Sequence, residues 1–176
     1  MKAKRQPYLD TTDGLWKIPL TKGYVCIVDE CDCVSLAMHN WTVAITRGGI
    51  PYAYRKRPST RRQMYMHRFI MGVLDCPVQI DHINGNSLDN RRSNLRECTQ
   101  RQNSYNRRNS KLGKTGRKGV VFDARRNRYR ARVRVNGKEV HLGRFLTCWE
   151  AAEAYDLAAE RLHGEFSSTN TKLAIH

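Results

Sequence analysis

Asp81, His82, Asn94 and Asn103 are residue types that together can hydrolyse a phosphodiester. That reaction needs a base to deprotonate water and a cation to stabilise charge on the phosphate oxygens and the leaving group. Histidine is the neutral base suited to pH 7. Asp carboxylate and Asn amide oxygens are hard ligands that suit Mg²⁺ or Mn²⁺. Each residue alone says little, because an Asp beside a His near a turn is common and loop asparagines usually cap or form Asx turns. Neighbours on a strand point to opposite faces, so Asp81 and His82 share one site only if the strand end is distorted. Gly85 and the Asn-rich loop after them make such an irregularity the expectation.

The elements that must position these residues can be read from the local pattern. Pro77-Val78-Gln79-Ile80 reads as a short strand entering Asp81-His82, and a Gly/Asn-rich loop runs from Asn84 to Ser93. Leu95-Arg96-Glu97-Cys98 returns as a second strand. Thr99-Gln100-Arg101-Gln102 has the spacing of a helix capping box, which puts Asn103 in the first turn. Upstream, residues from about 14 to 66 are β-rich. Tyr24-Val25-Cys26-Ile27-Val28 and Trp41-Thr42-Val43-Ala44-Ile45 are strand-like, and Gly23 and Arg47-Gly48-Gly49 punctuate them. This stretch carries no strong chemical motif and is expected to be a packing module that supports the residues downstream of it.

Met66-His67-Arg68, Ile80-Asp81-His82-Ile83-Asn84-Gly85-Asn86, Leu88-Asp89-Asn90-Arg91, Ser93-Asn94-Leu95-Arg96 and Thr99-Gln100-Arg101-Gln102-Asn103 resemble the HNH endonucleases of phages and mobile introns. The likeness extends through residues 67–107, and Ile18-Pro19-Leu20-Thr21 and Val28-Asp29-Glu30 resemble the leader of phage members. The resemblance implies a ββα-metal fold with one divalent cation, Mg²⁺ or Mn²⁺. It makes Asp81 and Asn103 the metal ligands, His82 the general base, and Asn94 the residue that braces the loop and orients His82. Asn103 stands where other branches of the family have His. His67 and Arg68 support the site or bind phosphate, or else pack at a helix start. Water attack at phosphorus would leave a 5′ phosphate and a 3′ hydroxyl.

Arg128-Tyr129-Arg130-Ala131-Arg132-Val133-Arg134-Val135 alternates strictly, so a strand puts its arginines on one face. Asn136-Gly137 is a two-residue hairpin turn. Closing there pairs Val135 with Lys138, Arg134 with Glu139 and Arg132 with His141. Val140 and Leu142 join the apolar face, and Glu139 and His141 the arginine face. Thr147 and Glu150 form a second capping box. Ala151, Ala154, Tyr155, Ala158 and Leu162 recur at helical spacing, with Gly164 at the end. Alternating arginines with no acid among them repel one another, and a polyanion relieves that repulsion. Lys118-Gly119-Val120, Tyr129 through Arg134, His141-Leu142-Gly143-Arg144-Phe145, Glu150-Ala151-Ala152 and Ala154 through Ala159 resemble an APETALA2/ethylene-response-factor DNA-binding domain over residues 116–170. That resemblance implies a three-stranded sheet laid in the major groove of duplex DNA, with Lys118, Arg132 and Arg134 at contact positions. Arg128, Arg130 and His141 share the face. Val121, Asp123, Arg125 and His141 depart from the pattern of plant members, so no target sequence is carried over.

The bulk numbers agree with a polyanion partner. The chain has 176 residues, 32 Lys and Arg against 16 Asp and Glu, and a formal charge of +16. Thirteen Lys or Arg and a single acid, Asp123, lie between Arg101 and Arg134, and Arg107 and Arg108 are expected to track the DNA backbone. The six cysteines read as reduced thiols of a cytoplasmic protein; zinc at Cys31, Cys33 and His39 is disfavoured because one intervening residue is too few. No signal peptide and no spanning segment are expected. The whole is expected to be α+β. Its segments would be a β-rich region at 1–66, a nuclease core at 67–109, a basic linker at 110–116 and a DNA-binding domain at 117–171. The function expected is a metal-dependent DNA endonuclease of a mobile element, a monomer or weak dimer on DNA. The rivals are a DNA-binding regulator that does not cleave and an RNA-binding protein, the latter weakened by a sheet poor in exposed aromatics.

Overall fold

The structure is a computed structural model that describes residues 5–106 and 113–173. Its architecture is α+β, with small antiparallel sheets joined by short helices. β1 (Tyr8–Asp10), β2 (Leu15–Pro19) and β3 (Val25–Val28) form a meander, and α1 (Glu30–Ala37) comes after it. β4 (Thr42–Ile45), β5 (Pro51–Lys56) and β6 (Gln63–Tyr65) form a second meander that runs into α2 (Met66–Ile70). β7 (Gln79–His82) and β8 (Leu95–Cys98) are a hairpin, and α3 (Gln100–Asn106) comes next. β9 (Val120–Asp123), β10 (Arg128–Val135) and β11 (Lys138–Phe145) make the last sheet, before α4 (Cys148–His163) and α5 (Asn170–Leu173). Contacts divide the chain into two compact units, Met1–Cys98 and Thr99–His176, so α3 is grouped with the second.

The first unit has one core. Ile18, Leu36, Trp41, Met66, Ile80 and Leu95 are buried together, so the β-rich segment and the β7–β8 hairpin are packed on the same apolar interior. Burying side chains of this size stabilises by about 1.5–3 kcal/mol each. Trp41 is fully buried because its Nε1–H finds the Leu36 carbonyl at 3.0 Å. The helix α1 interrupts a stretch read as strands. Its apolar stripe is narrow, with only Cys33 and Leu36 among its buried apolar residues, so periodicity hides it. Glu30 and Asp32 in its first turn were the available signal, since acids there complement the positive helix end.

In the second unit the order is β11-β10-β9, and α4 covers the face carrying Ala131 and Val133. The hairpin register is the one the Asn136-Gly137 turn predicts, Val135↔Lys138, Arg134↔Glu139 and Arg132↔His141. It then shifts at a bulge, so that Ala131 faces Gly143 and Arg130 faces Arg144. Both capping boxes form. Gln102 N–H donates to Thr99 Oγ1 at 3.2 Å, and Glu150 N–H donates to Thr147 Oγ1 at 3.2 Å. The buried stripe of α4 is Ala151, Ala152, Tyr155 and Ala159, whereas Leu162, expected in it, is 48% exposed. Alanines on both flanks leave the helix rotation undetermined by composition, and the packing around Tyr155 decides it. Gly119 permits that packing, because a Cβ there would lie 2.0 Å from the Tyr155 ring and its φ is +74°. Residues 107–112, which include Arg107, Arg108 and part of the linker, lie outside the described residues. No helix among the described residues is long and apolar enough to cross a membrane.

Candidate active site

β7 pairs regularly with β8 through His82↔Leu95. The distortion expected at Asp81-His82 is therefore not in the strand pairing; the chain turns only afterwards, with Gly85 at φ 71° and its N–H on the His82 carbonyl. As alternation requires, the two side chains have separate partners. Asp81, 5% exposed, takes Arg96 Nε and Nη2 on Oδ2 at 3.0 and 2.8 Å. His82, 6% exposed, lies among Tyr52, His67 and Asn90, with ring centroids 6.2 Å from Tyr52 and 5.2 Å from His67.

Three hydrogen bonds in series set the His82 ring. Cys26 Sγ donates to the Leu88 carbonyl at 3.0 Å, and its sulfur receives Asn90 Nδ2 at 2.7 Å. That turns Asn90 Oδ1 toward His82 Nε2, 3.3 Å away. An amide oxygen only accepts, so Nε2 carries the proton and Nδ1 the lone pair. Burial pushes the Cys26 thiol up to about 12, which keeps it a donor, although its bond with Asn90 opposes the rise. Burial also holds His82 below the usual histidine range, against the Asn90 bond and the charges of Asp81 and Asp89. His67 is brought down to about 3 by burial, with His82 and Arg68 adding to the effect. Both imidazoles are thus neutral at pH 7.

The loop between the strands is fixed from inside and from the N-terminal sheet. Asn94 Oδ1 accepts from Asn84 N–H at 2.9 Å, and its Nδ2 donates to Asn84 Oδ1 at 3.0 Å and to the Asp89 carbonyl at 2.7 Å. Asp89, 2% exposed, holds Arg91 and Asn84. Ile27 of β3 donates to the Leu88 carbonyl and accepts from Asn90 N–H, both at 2.8 Å, bridging in parallel to Asp89. Arg92 is held by Asp29 through its N–H and by Asp32 through its guanidinium. Arg68 donates to the carbonyls of Val73, Cys76 and Val78, tying down the connection into β7. Asn103 lies on α3 and belongs to the second unit.

A family model for HNH endonucleases matches residues 66–105, the span that holds Asp81, His82, Asn94 and Asn103. A protein described as an uncharacterized HNH endonuclease, from Acanthamoeba polyphaga mimivirus, is 38% identical over 154 residues, covering 85% of this chain and 76% of its own. The chain belongs to the HNH endonuclease family. Protein 3.8 of Escherichia phage T7 is 30% identical over 107 residues, covering 61% of this chain and 88% of that protein. No solved structure matches. Within this nuclease the sequence reading missed Tyr52, Arg96 and Asn90 as partners of the pair Asp81 and His82. Asn90 had a signal in the Leu88-Asp89-Asn90-Arg91 motif; Tyr52 had none, because only packing brings it in. Among the described residues no group of three or more His, Cys, Asp or Glu is placed to hold a metal ion. A cation at Asp81 would meet a carboxylate whose Oδ2 is taken by Arg96, and would have to complete its shell with amide, water or phosphate oxygens.

The endonuclease presents a basic surface on β10 and β11. Arg132 and Arg134 are exposed, whereas Arg128 and Arg130 are half-buried. Arg132 pairs with Glu139 at 2.7 Å, and His141 Nδ1 accepts from Gly143 N–H at 3.0 Å. The bulge adds Arg144 to this face opposite Arg130, where unbroken alternation would have put it with Val140 and Leu142. Gly143 was the sequence signal for it. Lys118 is buried instead, 9% exposed, donating from Nζ to the Tyr105 carbonyl at 2.9 Å. Burial brings its ammonium down to about 8, against the pull of Asp156. It lines a cleft of about 370 Å³ in the second unit together with Tyr105, Arg132, Arg134 and His163.

Proposed function

We propose that this HNH endonuclease is a metal-dependent DNA endonuclease, in which His82 is the general base and Asp81 and Asn103 hold one divalent cation. What supports the reading is the buried His82 ring, whose Nε2 lies 3.3 Å from Asn90 Oδ1 within the span that the HNH endonuclease family model matches. A neutral imidazole with its lone pair on Nδ1 removes a proton from water for in-line attack at phosphorus. The cation supplies charge stabilisation at the phosphate oxygens and the departing 3′ oxygen. Asn103 enters on its motif position. Asn94 acts by bracing the loop that carries Asn84 and Asp89. The exposed arginines of β10 are the DNA-contacting face of an APETALA2-like domain, with Arg144 added to it, and binding there delivers the nuclease to its site in the manner of a homing endonuclease. One catalytic constellation per chain nicks as a monomer and cuts both strands as a dimer.

Supercoiled plasmid and genomic DNA incubated with Mg²⁺, with Mn²⁺ or with chelator, beside His82→Ala, test this. Cleavage that needs metal and disappears in the variant is expected. Tight DNA binding without cleavage by either protein, on a library that contains the true site, would leave a non-cleaving DNA-binding regulator.

A further inference from the structure

The β4–β5–β6 sheet has two faces of opposite kind. Val43, Ala53 and Met64 turn inward and are buried. Alternation and register place Tyr52, Tyr54, Lys56, Gln63 and Tyr65 together on the other side, with Tyr54 opposite Tyr65 and Lys56 opposite Gln63. The tyrosines are continuous, since Tyr65 lies 5.9 Å from Tyr52 and 6.5 Å from Tyr54 between ring centroids. The row runs into the candidate active site. Tyr52 is 6.0 Å from His67 and 6.2 Å from His82, and Tyr65 stacks on His67 at 5.6 Å. At the far end Lys56 is exposed, and the turn to β6 carries Arg57, Arg61 and Arg62.

Charge says what this face meets. From residue 33 to residue 74 the chain has seven Lys or Arg and no Asp or Glu; Arg55 shares the inward register of Met64 and Arg68 is held by backbone carbonyls, which leaves Lys56, Arg57, Arg61 and Arg62 at the far end of this face and Arg47 in the β4–β5 turn. Arg57 reaches out of that stretch to Asp75, a carboxylate whose side chain is 82% exposed. A surface that concentrates cations without acids is self-repelling until a polyanion lies on it. Tyrosine suits such a surface, because each ring offers an apolar face to a sugar or base and a hydroxyl to a phosphate. From Tyr52 to Lys56 the strand spans about 13 Å, roughly four base pairs of duplex rise.

We infer that the outer face of the β4–β5–β6 sheet is a contact surface for the DNA cut at His82, with Tyr52, Tyr54 and Tyr65 against sugars and bases and Lys56, Arg61 and Arg62 against phosphates. The inference rests on the reading of His82 as the cleavage centre. It adds a footprint on one side of the cut, made by a module otherwise expected only to support the core.

The test uses the full chain with Tyr54→Ala and Lys56→Glu combined, and Lys56→Glu alone as the variant whose exposed position spares the fold. Steady-state cleavage of plasmid and footprinting at the mapped cut are read together. KM is expected to rise about tenfold or more for the double variant, with the loss in KM and not in kcat. The slope of log affinity against log salt should fall by about one for Lys56→Glu. Protection should disappear over about four base pairs beside the cut. Tyr54→Phe with Lys56→Arg should restore both. An unchanged KM and footprint would overturn the inference, as would a loss confined to kcat, which would mean that the face only supports His82. His82→Ala run in parallel separates the readings: if it cleaves like the parent, the assignment of the base fails, while the footprint still reports on the sheet.

Discussion

At His82 the ring is aligned by groups that come from other parts of the chain. Asn90 Oδ1 meets Nε2, and Cys26 holds the Asn90 amide in the orientation that makes this contact. Removing the acceptor in Asn90→Ala is expected to lower kcat about 10–100-fold with little change in KM, as loss of an orienting partner does. Steady-state kinetics check it, and Cys26→Ser, which keeps a donor and an acceptor, should stay near the parent. His67 gives a separate prediction. Its folded pKa, about 3, is below its unfolded value of about 6.5. The unfolded chain therefore binds a proton that the folded one refuses as the pH falls through that window. Stability should be full above pH 6.5 and drop by up to about 1.4 kcal/mol per pH unit down to about 3. Urea unfolding at stepped pH measures this, and His67→Phe should flatten the dependence. Asp81, His82 and Asn94 were legible as a motif, because their spacing is local. Arg96 and Tyr52 were not, because cross-strand pairing and packing choose them.

Among the elements, β10 and its turn were legible from alternation and from Asn136-Gly137, whose residues take φ 51° and 81°. The rotation of α4 was not, since it depends on how Tyr155 and the sheet fit together, and the bulge that recruits Arg144 was signalled only by Gly143. Gly119→Ala is expected to destabilise the second unit well beyond the intrinsic cost of the change, because its Cβ meets the Tyr155 ring at 2.0 Å and the Arg132 carbonyl at 2.7 Å. Circular-dichroism melting of the full chain would show it; a Tm equal to the parent's would mean that the ring moves freely. Thr147→Ala should cost about 1 kcal/mol through loss of the capping box, and Thr147→Ser should recover most of it.

For the whole molecule, a charge of +16 is expected to make DNA affinity steeply salt-dependent. Arg132→Ala combined with Arg134→Ala should lower that dependence by about one unit of slope for each phosphate that no longer meets a guanidinium. Fluorescence anisotropy across salt concentrations decides it, and an unchanged slope would place these arginines outside the interface. The α+β class was legible in the sequence, as were the β7–β8 hairpin, α3, the β10–β11 hairpin and α4 in that order, whereas α1 was not. The common core of the β-rich segment and the β7–β8 hairpin was not, because it joins Ile18 and Trp41 to Ile80 and Leu95 over long separations. The bridge from Ile27 to the loop at Asp89 has a practical consequence for engineering. The motif span is not a portable cassette: a chain begun at Met66 would carry Asp81 and His82 into a new host but leave behind Cys26, Ile27, Asp29 and Asp32, the clasp that gives their loop its shape. Chimaeras of this nuclease should therefore be joined before β1 or after α3, with the N-terminal sheets retained.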